Sequence, residues 1–490
     1  KQEKHRKGKK AAVFMIILAT WLFASFVWLE NYFADLTMDK MVFQMRVPLT
    51  GTNSGIVWNY LLYAVPPSLV MAVLLYLLLR RKQSKRKVFG WIYRHLKAIS
   101  ALYLAAAVVF GLLRYQIPQY LYDQTHPSRL YEMHYVDPAS VKLKFPEKKR
   151  NLIYIFLESF ENTYASREVG GFQEENLIPN LTALQREEGS VFFSQKGGYG
   201  MPEMANCSWT MASMVAQTSG VPLSIPLADN DYDLYDTFLP GICTLGEILE
   251  DEGYNQELLL GSDAVFAGTN HYFQQHGDYE IRDYGYAKEN GWIPEDYYEW
   301  WGFEDKKLYA FAKEEVSRLA AEGKPFNLTL ATMDTHCAEG YFCDLCREEY
   351  DNQYYNVISC SDRQTYDFVQ WVREQPFAEN TTVILCGDHF TMDAAYSDSV
   401  DEDFTRSIYQ VIVNPAMEAK YTTNRLYGAP DMFPTTLAAL GVEIPGNHLG
   451  LGVNLFSEEP TLSETMGMEE LEAQIKKTNK YYSRKFLYGK

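Results

Sequence analysis

Three short apolar runs of this 490-residue chain each end in side chains of the kind that hold metals or move protons. Run 152–157 leads into Glu158-Ser159, run 326–332 into Asp334-Thr335-His336, and run 382–385 into Gly387-Asp388-His389. Glu, Asp and His are the donors of a divalent-cation site that keeps open coordination positions. Caps and turns use the same residue types, so one such ending would say little. Three in one chain point to a shared site. A hydroxyl nucleophile is on offer in residues 201–222, MPEMANCSWTMASMVAQTSGVP, where 211–217 has helical character and Ser208 or Thr210 stands at its start. A hydroxyl there meets the positive end of the helix dipole, which favours bound phosphate and alkoxide character. A plain N-cap is the competing role.

For these residues to meet, the runs must be neighbouring strands, because ligands of open α/β sheets bind at the carboxyl ends of strands. Runs 152–157, 326–332, 382–385 and 408–413 read as strands buried on both faces, and 245–253, 303–321, 362–375 and 433–440 carry helical spacing. The alternation predicts an α/β/α sandwich around a mostly parallel sheet, spanning 151–460. Residues 116–150, with Pro118, Pro127, Pro138 and Pro146, read as a connector, and 461–490 as an amphipathic helix and tail.

The first 115 residues are a different object. They carry 17 Lys and Arg against four Asp and Glu, whereas 116–490 carries 28 against 59. Runs 11–29 and 55–79 hold no charge, and about twenty apolar residues span a bilayer as a helix. A third run, 98–114, is marginal and reaches further if Arg114 snorkels. The first run exceeds a signal-peptide core and lacks a clear small-residue cleavage site, so it is expected to stay as an anchor. Segments 1–10 and 80–97 carry six and eight basic residues, against Lys40 and Arg46 in 30–54. The positive-inside rule then places both basic segments in the cytoplasm, and three spans place everything after about 116 outside. Two spans would leave it inside. A nucleic-acid partner is excluded, since the large part is strongly acidic and the basic part is interleaved with apolar runs.

All seven cysteines lie beyond residue 200. Cys337, Cys343, Cys346 and Cys360 share one polar stretch, and Cys386 sits inside an apolar run. In an exported domain one or two disulfides are expected, with Cys346–Cys360 preferred. A Cys-x-x-Cys pair such as 343/346 would instead indicate zinc or redox chemistry in a cytosolic protein. The 36 tyrosines, dense around 272–308 and 341–366, offer a sugar-facing surface or core filler, and filler is the commoner role. His271 and His276 are five apart, which is not the spacing of a helical metal pair.

The ordered segments NLIYIFLESFENTY, SWTMASMVAQTSGVPL, GICTLGEILEDEGY, FAGTNHYFQQHG, TMDTH, VISCS, CGDHFTM and HLGLGVNLF cover roughly 150–456. This region resembles the alkaline-phosphatase-like, sulfatase-type transferases that include lipoteichoic acid synthases and osmoregulated periplasmic glucan phosphoglycerol transferases, the glucan type more closely. The resemblance implies a membrane-anchored enzyme of the cell membrane with an extracytoplasmic catalytic domain. It moves phosphoglycerol from phosphatidylglycerol to an envelope glycan through a glycerophosphoryl-threonine. It implies Glu158, Asp388 and His389 as metal ligands, with Thr210 as a nucleophile that also touches the metal. His336 would contact the phosphoglycerol, and His271 is a candidate for the acceptor or glycerol pocket. Mn²⁺ or Mg²⁺ is the implied ion; donor types alone suit Zn²⁺ as well. Two departures stand out: Cys337 occupies a place where glucan-type relatives often carry a second histidine, and no arginine stands near Phe266-Ala267-Gly268, which disfavours lipoteichoic polymerisation. The rival readings are a lipoteichoic acid synthase, a phosphoethanolamine transferase, a sulfatase (which Trp-Thr-Met-Ala-Ser around Thr210 argues against), or a catalytically inactive glycan-binding or sensing module.

Overall fold

The computed structural model of the chain describes residues 2–34, 36–46, 54–80, 87–227, 229, 233 and 236–490. Part of the basic stretch used to orient the chain, residues 81–86, lies outside them. Two compact units are present, one gathering the N-terminal helices and the other taking in most of the rest from Asp123 onward.

The first unit holds α1 (Gln2–Tyr32), α3 (Ser54–Arg80) and α4 (Lys87–Arg114). Their stretches Lys10–Tyr32, Ser54–Leu77 and Arg94–Arg114 are each long and apolar enough to cross a membrane. The marginal third run thus reaches back past Lys97 to Arg94, giving 21 residues. Helix α3 continues through Pro66-Pro67. Polar contacts tie the helices together: Trp28 Nε1 donates to Asn59 Oδ1 at 2.6 Å, and Glu30 accepts from Arg114 Nε at 2.8 Å and Tyr115 Oη at 3.1 Å. Such groups hold helices together where the surroundings offer no water.

The second unit is built on seven strands: β1 (Asn151–Leu157), β2 (Ser190–Val191), β3 (Asn255–Leu260), β4 (Glu280–Arg282), β5 (Phe326–Ala331), β6 (Thr381–Gly387) and β7 (Gln410–Val413), in the order β2-β7-β6-β1-β5-β3-β4. Strands β6, β1, β5, β3 and β4 are parallel, while β7 runs antiparallel to β6 and β2 to β7. Alternate residues feed two cores. Leu152, Tyr154, Phe156, Ile384 and Cys386 join one, and Ile153, Ile155, Leu157, Val383 and Leu385 join the other. Apolar side chains on both faces are what a parallel sheet covered on both sides requires. Helices α5 (Thr210–Ser219), α6 (Leu245–Asp251), α7 (Thr269–Gln275) and α10 (Met432–Ala439) contribute to the first core, and α8 (Asp305–Ala321) and α9 (Gln353–Arg373) to the second. The expected α/β/α sandwich is therefore observed.

Three departures from expectation have physical causes. Strand β3 was not expected, because its sequence NQELLL places Glu257 mid-strand; that carboxylate, 1% exposed, is neutralised by Arg282 of β4 and Arg318 of α8. Helix α9 starts nine residues before the expected 362, because the Asn352 side chain accepts from the amides of Tyr354 and Tyr355 and opens a new helical start. The C-terminal segment is no loose tail, since Tyr482, Phe486 and Leu487 are buried and pack against Tyr131 and Tyr135 of the expected connector. The filler role of the tyrosines holds for Tyr272, Tyr309 and Tyr354, all buried.

The sheet also fixes a constraint at its site end. A Cβ on Gly387, the last residue of β6, would collide with the Phe160 carbonyl oxygen. Beside it the fully buried Glu161 accepts two bonds from Arg406, at 2.7 and 2.9 Å, and one from Thr391 N at 3.0 Å. Breaking a buried pair by removing one partner leaves an uncompensated charge. Arg406→Ala is therefore expected to cost about 3–5 kcal/mol, and Gly387→Ala about 2 kcal/mol through overpacking. Thermal or denaturant unfolding of the detergent-solubilised chain checks both, and an unchanged midpoint for either contradicts the corresponding contact.

Candidate active site

Neighbouring strands β6, β1 and β5 deliver the three polar endings to one place. Glu158 and Ser159 follow β1, Asp388 and His389 follow β6, and Thr332 to His336 follow β5. The turn after β1 is held on both sides. Glu158 N donates to Thr332 Oγ1 at 2.9 Å, and the Glu158 carbonyl accepts from Thr335 Oγ1 at 2.6 Å. Ser159 takes a positive φ of 52° there, and its amide meets Asp388 Oδ1 at 2.8 Å.

Glu158, Asp388 and His389 converge with one ligand atom of each within 4.8 Å of the others, and all three are buried. His389 Nε2 lies 3.3 Å from Asp388 Oδ2 and 3.7 Å from Glu158 Oε1. Its Nδ1 is 2.7 Å from the Phe390 carbonyl, which makes Nδ1 the protonated nitrogen and leaves the Nε2 lone pair facing the carboxylates. Such a backbone partner on the far nitrogen is the usual means of aiming a ligating histidine. Asp388 Oδ1 accepts the amides of Ser159 and His389, while Oδ2 is buried with no protein partner. Burial and the Asp388 carboxylate push Glu158 up to about 8. Burial opposes a charge on His389, but Asp388 and Glu158 outweigh it and raise that group. A divalent cation fits this arrangement: it supplies the missing partner for Asp388 Oδ2 and lets both carboxylates ionise side by side.

Helix α5 brings the hydroxyl. Its N-cap is Trp209, with no side-chain cap, and Thr210 is the first helical residue. Thr210 Oγ1 instead lies 3.3 Å from Glu158 Oε2 and 3.4 Å from His389 Nε2. The competing capping role is thus set aside for both Ser208 and Thr210. The rest of α5 is buried, fixed by Tyr154 Oη donating to Gln217 Oε1 at 2.6 Å.

The remaining expected residues take different places. His336 packs on Trp301 in a tilted ring pair with centroids 4.8 Å apart, its Nδ1 2.9 Å from the Cys337 carbonyl. His271 lies on α7, which meets α5 through Thr269 Oγ1 at 3.5 Å from Met211 Sδ and Thr218 Oγ1 at 2.7 Å from Tyr272 Oη. Neither histidine belongs to the three-ligand cluster. His276 is a core residue, its Nε2 2.7 Å from the Phe238 carbonyl. Asp334 turns away to lock α8: its Oδ1 accepts Asp305 N at 3.1 Å, and Asp305 returns bonds to the amides of Met333 and Asp334. Sequence reasoning missed helix α2 (Met38–Arg46), which from Asp39 belongs to the second unit. Its Phe43 packs on Trp209 at 5.1 Å, and its buried Lys40 sits 4.0 Å from Glu203, whose other oxygen accepts Phe390 N at 2.8 Å. The clue was present in the apolar Val42-Phe43 beside Lys40, within a loop read only for its charge.

Comparison with known proteins gives consistent results. Phosphoglycerol transferase I of Xanthomonas axonopodis pv. citri is 32% identical over 281 residues, covering 55% of this chain and 38% of that protein. Phosphoglycerol transferase I of Escherichia coli is 27% identical over 449 residues, covering 89% and 54%. The chain thus spans about half the length, or less, of these curated relatives. Among solved structures, an alkaline phosphatase superfamily protein from Vibrio parahaemolyticus shares the fold at a TM-score of 0.51 and 21% identity, over 67% of this chain and 76% of that one. The sulfatase family model matches residues 150–442, which contain the whole parallel sheet, Thr210 and all three converging ligands. On that match the chain belongs to the sulfatase family.

Proposed function

We propose that the chain is a membrane-anchored phosphotransferase that moves phosphoglycerol from phosphatidylglycerol to an envelope glycan through a glycerophosphoryl-threonine on Thr210. The observation that carries this reading is the placement of the Thr210 hydroxyl against Glu158 and His389 rather than on its own helix amides. The shared sequence with proteins named phosphoglycerol transferase I supports the transferred group. Three N-terminal helices fit to cross a bilayer support a lipid donor within reach. The catalytic unit is assigned to the extracytoplasmic side from the basic segments 1–10 and 80–97.

In this reading Glu158, Asp388, His389 and Thr210 hold one divalent cation. Oxygen donors with one imidazole suit Mn²⁺, Mg²⁺ or Zn²⁺. When bound, the ion lowers the pKa of a coordinated hydroxyl and neutralises phosphoryl charge. Thr210 Oγ1 attacks the donor phosphorus. The bond from phosphorus to the diacylglycerol oxygen breaks, and diacylglycerol leaves as the alcohol, taking up a proton. A sugar hydroxyl then attacks the same phosphorus, gives up its proton, and frees Thr210. The amino end of α5 favours the phosphoryl charge through its aligned amides. His336, held by Trp301 and the Cys337 carbonyl, keeps Nε2 for the phosphoglycerol. His271 is assigned to the acceptor or glycerol pocket from the contacts of α7 with α5.

Membranes carrying the full chain, given phosphatidylglycerol labelled in its headgroup and candidate glycans, should transfer label to glycan. Thr210→Ala should lower transfer roughly a thousandfold or more while shifting stability by under about 0.5 kcal/mol. Label transfer by Thr210→Ala at the parental rate would remove the nucleophile assignment. Chelation should abolish transfer and added divalent ion restore it, and Asp388→Asn should lose the bound ion. An active, ion-free parental protein would contradict the metal role.

A further inference from the structure

Away from the proposed active-site metal, three cysteines converge. Cys343 and Cys346 lie in the segment between β5 and α9, and Cys360 lies on the second turn of α9. Cys343 Sγ is 3.7 Å from Cys346 Sγ and 3.9 Å from Cys360 Sγ, and all three sulfurs lie within 4.8 Å of one another. The expected Cys346–Cys360 pair is therefore not singled out, because Cys343 is close to both. Cys337 is not part of the cluster.

These separations fit one of two chemistries. Four donors around Zn²⁺ with Zn–S of about 2.3 Å place sulfurs about 3.8 Å apart at tetrahedral angles. A disulfide needs about 2.0 Å and takes only two of the three, leaving a third thiol beside a bond it can attack. A soft cation uses all three. The local backbone holds the two sulfurs of the Cys-x-x-Cys pair on one side of a tight turn, in which Cys346 N bonds the Cys343 carbonyl at 3.0 Å. Lys306 clamps the same turn through Asp344 at 2.7 Å.

A fourth group is already in place. Gln364, one turn after Cys360 on α9, is nine-tenths buried, and its Oε1 has no hydrogen-bond partner. Its Nε2 stands 3.4 Å from Cys360 Sγ and 3.9 Å from Cys343 Sγ. Oxygen and nitrogen exchange places when an amide turns over. An oxygen in that place matches the fourth corner of a zinc tetrahedron, where S···O is about 3.6 Å.

We propose that Cys343, Cys346 and Cys360, with the Gln364 amide, form a second metal site that takes a thiophilic divalent cation, Zn²⁺, separate from the site at Glu158. Binding releases the thiol protons and fastens the segment carrying His336 to α9. The site therefore orders the segment that follows β5 without touching substrate.

The test is metal analysis of the full chain purified in detergent. Zinc is expected at about one equivalent in Asp388→Asn, and is expected to be lost when Cys343→Ser/Cys346→Ser/Cys360→Ser is combined with Asp388→Asn. Since that variant could lose its fold, Co²⁺ substitution of Asp388→Asn provides an independent readout. A thiolate-to-cobalt charge-transfer band is expected and its absence would overturn the site. Denaturation with a chelator should expose seven titratable thiols. Five thiols, showing a disulfide, or zinc retained by the triple serine variant in the Asp388→Asn background, would overturn it too. Failure of phosphoglycerol transfer would leave all of these readouts untouched.

Discussion

Two carboxylates and an imidazole share a nearly dry pocket, and most of the second unit serves to keep them there. At an effective dielectric near 20, two like charges under 5 Å apart repel by about 3–4 kcal/mol, several times the net worth of an ordinary hydrogen bond. The chain meets this strain with fixed donors on one side and an open face on the other. Asp388 Oδ1 is saturated by the amides of Ser159 and His389, while Asp388 Oδ2 and His389 Nε2 are left aimed at a common point. An arrangement of this kind is stable only with a cation or a proton in it, and burial with the neighbouring Asp388 carboxylate raises Glu158 accordingly.

The surrounding structure is rigid because it is strand rather than loop. Glu158 and Asp388 each follow directly on a strand buried on both faces, and their peptide groups bond to neighbouring strand ends within a residue or two. Asp305 and Asp334 lock α8 to the end of β5, and Arg406 and Glu161 lock the turn after β6. Each lock is a buried carboxylate with several donors, so each holds geometry at an energetic cost in desolvation. Helix α2 adds a further contact within the second unit, through Phe43 on Trp209 and Lys40 beside Glu203.

Much of this was legible from residues alone. Continuous apolar runs such as LIYIFL and TVIL announced central strands, since only a sheet covered on both faces buries them. The polar endings at Glu158, Asp388 and His389 marked the site for the same reason: packing has no use for them there. Strand β3 escaped because Glu257 breaks the apolar run, and its two arginine partners come from β4 and α8, far along the chain. Helix α9 was read short because Asn352 caps it from a stretch that composition describes as loop.

The sequence by itself determined the central strands, the apolar N-terminal helices and the donor residues that meet at the strand ends, because apolar periodicity and donor type are local properties of the chain. Tertiary structure alone decided which hydroxyl meets the buried carboxylate. Ser208 and Thr210 are equivalent as residues near a helix start, and only the approach of α5 to β1 and β6 separates a cap from a group 3.3 Å from a buried carboxylate. It also decided the cysteines. Cys346 with Cys360 was the preferred pair for an exported domain, whereas folding places Cys343 against both, since sulfur neighbours are set by how a loop lies on a helix.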